Sequence, residues 1–140
     1  MIERIGAELI FNLIGQEKAI AIKPAGKTLS KSFQMVQAAH GRGIPFFVAD
    51  SACIPLLVEW NKTVAARLRP FPGLEMGIIE SHGEQTYRNW RGLVAQLPFP
   101  EGAWIEAIDG AYHLDEEFYR KSGGIFLPSA HYQKVIEGNL

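Results

Sequence analysis

The sequence predicts an α/β protein with parallel strands. Short apolar runs recur roughly every thirty residues, helix-period segments separate them, and Pro or Gly marks the boundaries, the pattern of strands joined by helical crossovers. The chain has 140 residues, 47% hydrophobic and 21% charged. That is enough for one core and far from the composition of a disordered segment.

The elements follow in order. Ile2, Ile5, Leu9 and Leu13 are spaced three and four apart, as on one helix face, and Gly15 supplies a stop. Residues 18–23 hold the run Ala19-Ile20-Ala21-Ile22 before Pro24. Proline cannot donate to a ladder, so a buried strand ending at Lys23 is expected. Residues 28–40 read as a helix with Leu29, Phe33 and Val36 on its inner side and Lys31, Gln34 and Gln37 largely outside, closed by Gly41 and Gly43. Residues 44–49 form a second strand ending at Asp50-Ser51, and a helix over about 52–68 presents Leu57, Val64 and Leu68. After Pro70, Pro72 and Gly73, residues 74–79 form a third strand ending at Glu80-Ser81, with a weaker helix over 86–95.

Past Pro98 and Pro100 the periodicity fades. Residues 104–114 suit short strands, and 116–140 have no clear period. The chain therefore divides into a βα repeat over 1–97 and an irregular tail over 98–140. The aromatic content of that tail, including Trp104, Tyr112 and Phe118, calls for packing against something.

Charge narrows the function classes. A formal net charge of −1 supplies no field to gather nucleic acid or anionic lipid, so neither is expected as a partner. Arg67 and Arg69, the closest basic pair, fall where a helix ends and complement its dipole. The one cysteine, Cys53, excludes an internal disulfide and any multi-cysteine metal site. No run approaches the ~18–20 apolar residues of a membrane span. Met1-Ile2-Glu3-Arg4 lacks a signal-peptide layout, which makes the cytoplasm the expected compartment.

Parallel α/β proteins gather their chemistry at the C-terminal ends of strands. Each of the three runs here ends in a charged side chain: Lys23, Asp50 and Glu80. Side chains alternate faces, so Lys23 shares a face with Ala21, Asp50 with Val48 and Phe46, and Glu80 with Ile78 and Met76. If those faces line one interior, an ammonium and two carboxylates converge at its mouth. Ordinary roles compete with this reading, since Asp50-Ser51 before a helix is also a good N-cap pair.

The run Ile22-Lys23-Pro24-Ala25, a short loop, Leu29-Ser30, a helix and then Gly43-Ile44-Pro45 resembles the sixth-to-seventh strand region of enolase-superfamily enzymes, the mandelate racemase and muconate lactonising enzyme relatives. The likeness covers roughly residues 1–93, and the tail resembles the segment returning to the capping domain. It implies the last βα units of a TIM-type barrel and an isomerase or lyase that abstracts the proton α to a carboxylate of a small substrate. On that mapping Lys23 looks like the sixth-strand lysine base, and Asp50 closes strand seven and orients Lys23 or substrate. Glu80 closes strand eight as a partner hydrogen-bonding the enolate. Two positions depart from the pattern. Lys27-Thr28 stands where relatives carry a glycine pair, and strand seven ends in Asp50 where racemase-like members have a histidine, so their Asp–His dyad is not expected.

The resemblance also implies Mg²⁺ held by carboxylates on strands three to five. A complete barrel takes ~250 residues, so those strands lie outside this chain. The chain is expected to need them from a longer protein or a separate partner, to be inactive alone and to bind no cofactor alone. Three parallel strands also leave two open edges, so self-association is expected. The rival reading is a non-catalytic interaction or assembly module of barrel-derived architecture.

Other constellations carry less. Gly26-Lys27-Thr28 suggests a phosphate loop, but Ala21 stands where its first glycine belongs. Glu80, His82 and Glu84 form a dense polar cluster that Asp50 could lie near, conceivable as metal ligands but of the kind usually found in a solvated loop. Cys53, Trp60 and Trp90 read as packing residues.

Overall fold

The computed structural model of the protein describes residues 19–138. The helix expected over 2–13 lies outside them. Three parallel strands, β1 (Ile20–Ile22), β2 (Phe46–Ala49) and β3 (Ile79–Glu80), form one sheet in chain order. Helix α1 (Leu29–Gly41) connects β1 to β2, and α2 (Pro55–Ala65) connects β2 to β3. Two short helices, α3 (Gly83–Thr86) and α4 (Trp90–Val94), follow, and the tail holds α5 (Glu116–Lys121), a 3-10 turn at Ser122–Gly124 and α6 (Ala130–Ile136). The α/β class and the parallel sheet agree with the sequence reading. No helix among the described residues is long and apolar enough to cross a membrane.

Local chemistry sets the helix starts. Thr28 is extended and its hydroxyl accepts the Lys31 N–H at 3.4 Å, satisfying a donor of the first turn of α1. Helix α2 opens on Pro55, where a missing N–H removes no helical bond.

Register then fixes the faces. Ile20 pairs with Phe46, Ile22 with Val48 and Val48 with Ile79, which puts these side chains on one side of the sheet. Met35, Val36 and Ala39 of α1 cover Ile20, Ile22 and Phe46. Val64 and Ala65 of α2 cover Val48 and Ile79, with Leu68 touching both clusters. Both helices therefore lie on the same face. Burying Ile22 and Val48 fully contributes roughly 1.5–3 kcal/mol each.

Several expectations are corrected. Phe33 is exposed, and α1 instead buries Ser32 and Ala39, whose small side chains let the helix lie close to the sheet. Leu57 is also exposed, while Glu59, Asn61, Lys62 and Thr63 are buried, because the tail covers the outer side of α2. The third run yields only a two-residue strand. Gly73, at φ +82°, turns the chain so that the Leu74 N–H bonds the Phe71 carbonyl. Leu74 and Met76 face solvent. The helix expected over 86–95 splits into α3 and α4, and the Tyr87 hydroxyl beside the break bonds the Ala52 carbonyl at 2.9 Å.

The tail is anchored by Trp104, which is 2% exposed and stacks edge-to-face on Phe99 and Phe118. Thr63 and Arg67 reach from the α2 region to the carbonyls of Ser122 and Tyr119. Among the described residues, the only pairing between 104 and 114 is an antiparallel bridge of Ile108 with Ala111.

Candidate functional site

The C-terminal edge of the sheet brings together four side chains: Lys23, Asp50, Glu80 and His82. The parallel ladder runs one residue past β2, with the Asp50 N–H on the Glu80 carbonyl at 3.0 Å. Ala49 pairs with Glu80 and Ala21 with Phe47, so Glu80 lies on the Ala21–Phe47–Ala49 face, and alternation carries Lys23 to that same face. Neither α1 nor α2 covers this side. Lys23 and Glu80 are both exposed there.

Asp50 belongs to the opposite face. Its side chain follows Phe46 and Val48 toward the helices and is 1% exposed. The expectation that all three charged groups point into one cavity is therefore corrected. A single residue of register decides it, because Lys23 aligns with Ala49 and not with Asp50. Asp50 still touches Lys23 through its backbone, whose carbonyl accepts from the Lys23 Nζ at 3.3 Å.

The Asp50 carboxylate is fully engaged. Oδ1 accepts from the Ala52 N–H at 3.0 Å and lies 2.9 Å from His82 Nδ1, while Oδ2 accepts from the Ser81 hydroxyl and the His82 N–H at 3.0 Å each. These bonds hold Ala52 in a left-handed conformation at φ +55°, which costs a non-glycine residue ~1–2 kcal/mol. His82 is drawn onto Asp50 because the next residue is Gly83, where any Cβ would fall 2.2 Å from the Cys53 carbonyl and against the Trp90 ring. Only glycine allows that approach. His82 Nδ1 is also 3.9 Å from Glu80 Oε1.

Comparison of the chain with known protein families, characterised proteins and solved structures gives no match.

Beside this edge, a cleft of about 470 Å³ opens between α2 and the segments after β3, with Glu59, Ser81, Glu84, Trp90 and Tyr112 among its lining. Trp90, read as a packing residue, thus also borders open space. Burial raises the Glu59 carboxyl from 4.5 to about 7, against the pull of the Lys62 ammonium. Burial likewise lowers Lys62, against the opposing effect of Glu59. Both directions say that desolvation outweighs the pairing. The Tyr112 hydroxyl is pushed up by burial, with Ser81 opposing and the Glu59, Glu84 and Asp50 carboxylates adding to it.

A Mg²⁺ site does not fit the side chains at the strand ends. Both Asp50 oxygens already accept from N–H or O–H donors, and among the described residues no three His, Cys, Asp or Glu side chains gather to hold a metal. The resting groups are plainer. Cys53 is buried with its sulfur 3.8 Å from the Asn61 amide, and Thr28 serves as a helix cap.

Sequence reading missed Glu59 and Tyr112 as site residues, whereas the polar cluster it named around Glu80, His82 and Glu84 does lie against Asp50 through His82. Glu59 and Lys62 stand three apart in a helix and look like a solvated ion pair; nothing local signals that a tail will cover them. A faint signal existed for His82 in the Ser81-His82-Gly83 step directly after a strand.

Proposed function

We propose that the chain supplies the closing βα units of a TIM-type barrel in an enolase-superfamily isomerase or lyase. Lys23 is its base and Glu80 the group that hydrogen-bonds the enolate. The observation that supports this most is that Lys23 and Glu80 share the sheet face left free by both helices, at the C-terminal edge. That is the face a barrel turns inward and the edge where its chemistry sits.

In the step proposed, the neutral Lys23 amine takes the α-proton of a small carboxylate. The C–H electron pair moves onto the carboxyl group as an enediolate, and Glu80 as the acid donates a hydrogen bond to one of its oxygens. Asp50 positions Lys23 through its main-chain carbonyl. An enediolate needs more positive charge than these residues offer, so strands beyond this chain complete the site. The chain alone is expected to show no stoichiometric Mg²⁺ uptake by calorimetry, and clear uptake would overturn the mapping.

The decisive measurement is exchange of the α-proton for deuterium, followed by NMR over a panel of 2-hydroxy acids, N-acyl amino acids and dipeptides. The chain is joined to, or mixed with, a polypeptide carrying metal-binding strands. Exchange that Lys23→Ala and Glu80→Gln each abolish supports the reading. Exchange that survives both sinks it and favours an assembly module.

A further inference from the structure

We infer that the cleft between α2 and the segments after β3 binds a small organic dication, an alkyl diamine or aminoalkyl guanidine, through buried Glu59 and the rings of Trp90 and Tyr112. The inference goes beyond the reading of Lys23 and Glu80 and does not rest on it. The cleft holds about 470 Å³, and its lining sets four carboxylates, Glu59, Glu84, Glu101 and Glu106, against one guanidinium, Arg91. Among the described residues, no ammonium or guanidinium pairs with Glu84, Glu101 or Glu106.

Acidic side chains at a surface would by themselves only gather screening counterions. What makes this cleft a site is Glu59. It is 2% exposed, its Oε1 pairs with Lys62, and its Oε2 has no hydrogen-bond donor among the described residues. The Trp104 indole N–H lies near enough to favour the ionised form slightly, yet it too is left without a bond. A buried carboxylate oxygen without a donor is costly, and a ligand ammonium or guanidinium brings the donor and the opposite charge together.

The lining also selects the kind of cation. Mg²⁺ and Ca²⁺ need several oxygens converging on one point, and among the described residues no three His, Cys, Asp or Glu side chains gather so. Trp90 and Tyr112 border the same cleft, and aromatic faces attract organic cations while covering an alkyl stem. The Lys62 ammonium already uses Tyr112 in this way, 4.3 Å from the ring centre. Glu84, Glu101 and Glu106 are exposed where Glu59 is buried, so they hold the ligand's second charge at the rim and offset its repulsion from Lys62.

Proton linkage follows. Burial holds the free Glu59 carboxyl at about 7, and a bound cation favours the ionised form, so binding below that pH releases a proton. The charged and titratable groups around Glu59 are Lys62 on its own helix, Tyr112 from the tail, and Glu84, Glu101, Glu106 and Arg91 across the cleft. Affinity should rise by about 10-fold from about pH 6 to about pH 8.

Calorimetric titration of the intact chain with diaminobutane and with aminobutylguanidine, at constant ionic strength, is the test. One saturable site with Kd at or below about 1 mM is expected, and none for butanediol, which has the same stem and no charge. Glu59→Gln should weaken binding by about 10-fold or more and remove its pH dependence. Because Glu59 is packed into the fold, Glu106→Gln at the exposed rim is the second variant; it should weaken binding several-fold with an unchanged melt. Glu116→Gln on α5, exposed and outside the lining, should change nothing. No saturation by about 10 mM, equal losses in Glu106→Gln and Glu116→Gln, or an affinity that does not move with pH overturns the inference. A capped lysine peptide that binds more tightly than diaminobutane overturns the assignment to a free ligand and gives the cleft to a protein side chain.

Discussion

The Lys62 ammonium donates to the Trp104 carbonyl across 2.7 Å while pairing with Glu59 on its own helix. It also sits 4.3 Å from the centre of the Tyr112 ring. One buried side chain thus ties α2 to the tail at two points. The tail is part of the fold's core because of it, and the polar pair is sealed in as a consequence.

That pair sets a pH dependence. The Glu59 carboxyl is raised to about 7 in the fold, so its contribution to stability is fully present below its ordinary 4.5 and is lost as pH rises through about 7. Lys62 is lowered, so its contribution is present above its ordinary 10.5 and is lost as pH falls through the lowered value. Between about pH 5 and about pH 8, wild type should lose stability relative to Glu59→Gln, which removes the first titration. Urea melts at each pH measure the difference, and an opposite slope would refute the assignment. Lys62→Met should cost about 3–5 kcal/mol at pH 8 and less at pH 5, where the carboxyl is protonated.

Trp104→Ala should remove the tail's main anchor. Deleting a buried tryptophan costs about 3–5 kcal/mol, and here the loss should fall on the packing against Phe99 and Phe118. Limited proteolysis should then cut after residue 98 well before it cuts the sheet. Uniform cleavage along the chain would show that the tail does not unfold as a separate step.

Gly83→Ala should disturb the site from outside it. A Cβ there collides with the Cys53 carbonyl, which is main chain and cannot step aside as a flexible side chain can. Overpacking of this kind costs about 1–3 kcal/mol, and the relief is to lift the Ser81–Gly83 step away from α2. The NMR signals of the His82 ring should shift with it. Gly43→Ala, where a Cβ meets nothing within 4 Å but φ is +66°, should cost about 1 kcal/mol and leave those signals in place.

Self-association is the fourth expectation. Among the described residues, the outer edges of β1 and β3 carry no neighbouring strand, and the face holding Ala21 and Phe47 is covered by neither α1 nor α2. Unpaired ladder groups favour pairing with another chain. Light scattering coupled to size exclusion at micromolar concentration should report a dimer or larger, and a strict monomer would count against it.

Much of this was written in the local sequence. Apolar runs, their spacing and the Pro and Gly boundaries determine three strands and two long helices, because each depends on residues within a few positions of one another, and the alternation of strand with helix points to parallel pairing. The charged residues at or just past each strand's C-terminal end, Lys23, Asp50 and Glu80, were legible too, although β1 itself stops at Ile22. Tertiary structure alone decided how those ends relate. Alternation tells which neighbours of Asp50 share its face, but only the pairing of Ile20 with Phe46 reveals that Lys23 and Glu80 stand on the other side. The docking of His82 onto Asp50 and the sealing of Glu59 beneath the tail arise from contacts 32 and 42 or more positions apart, as in His82 with Asp50 and Lys62 with Trp104. Such contacts leave no periodic trace in the chain, because the residues that make them need only meet once, in space.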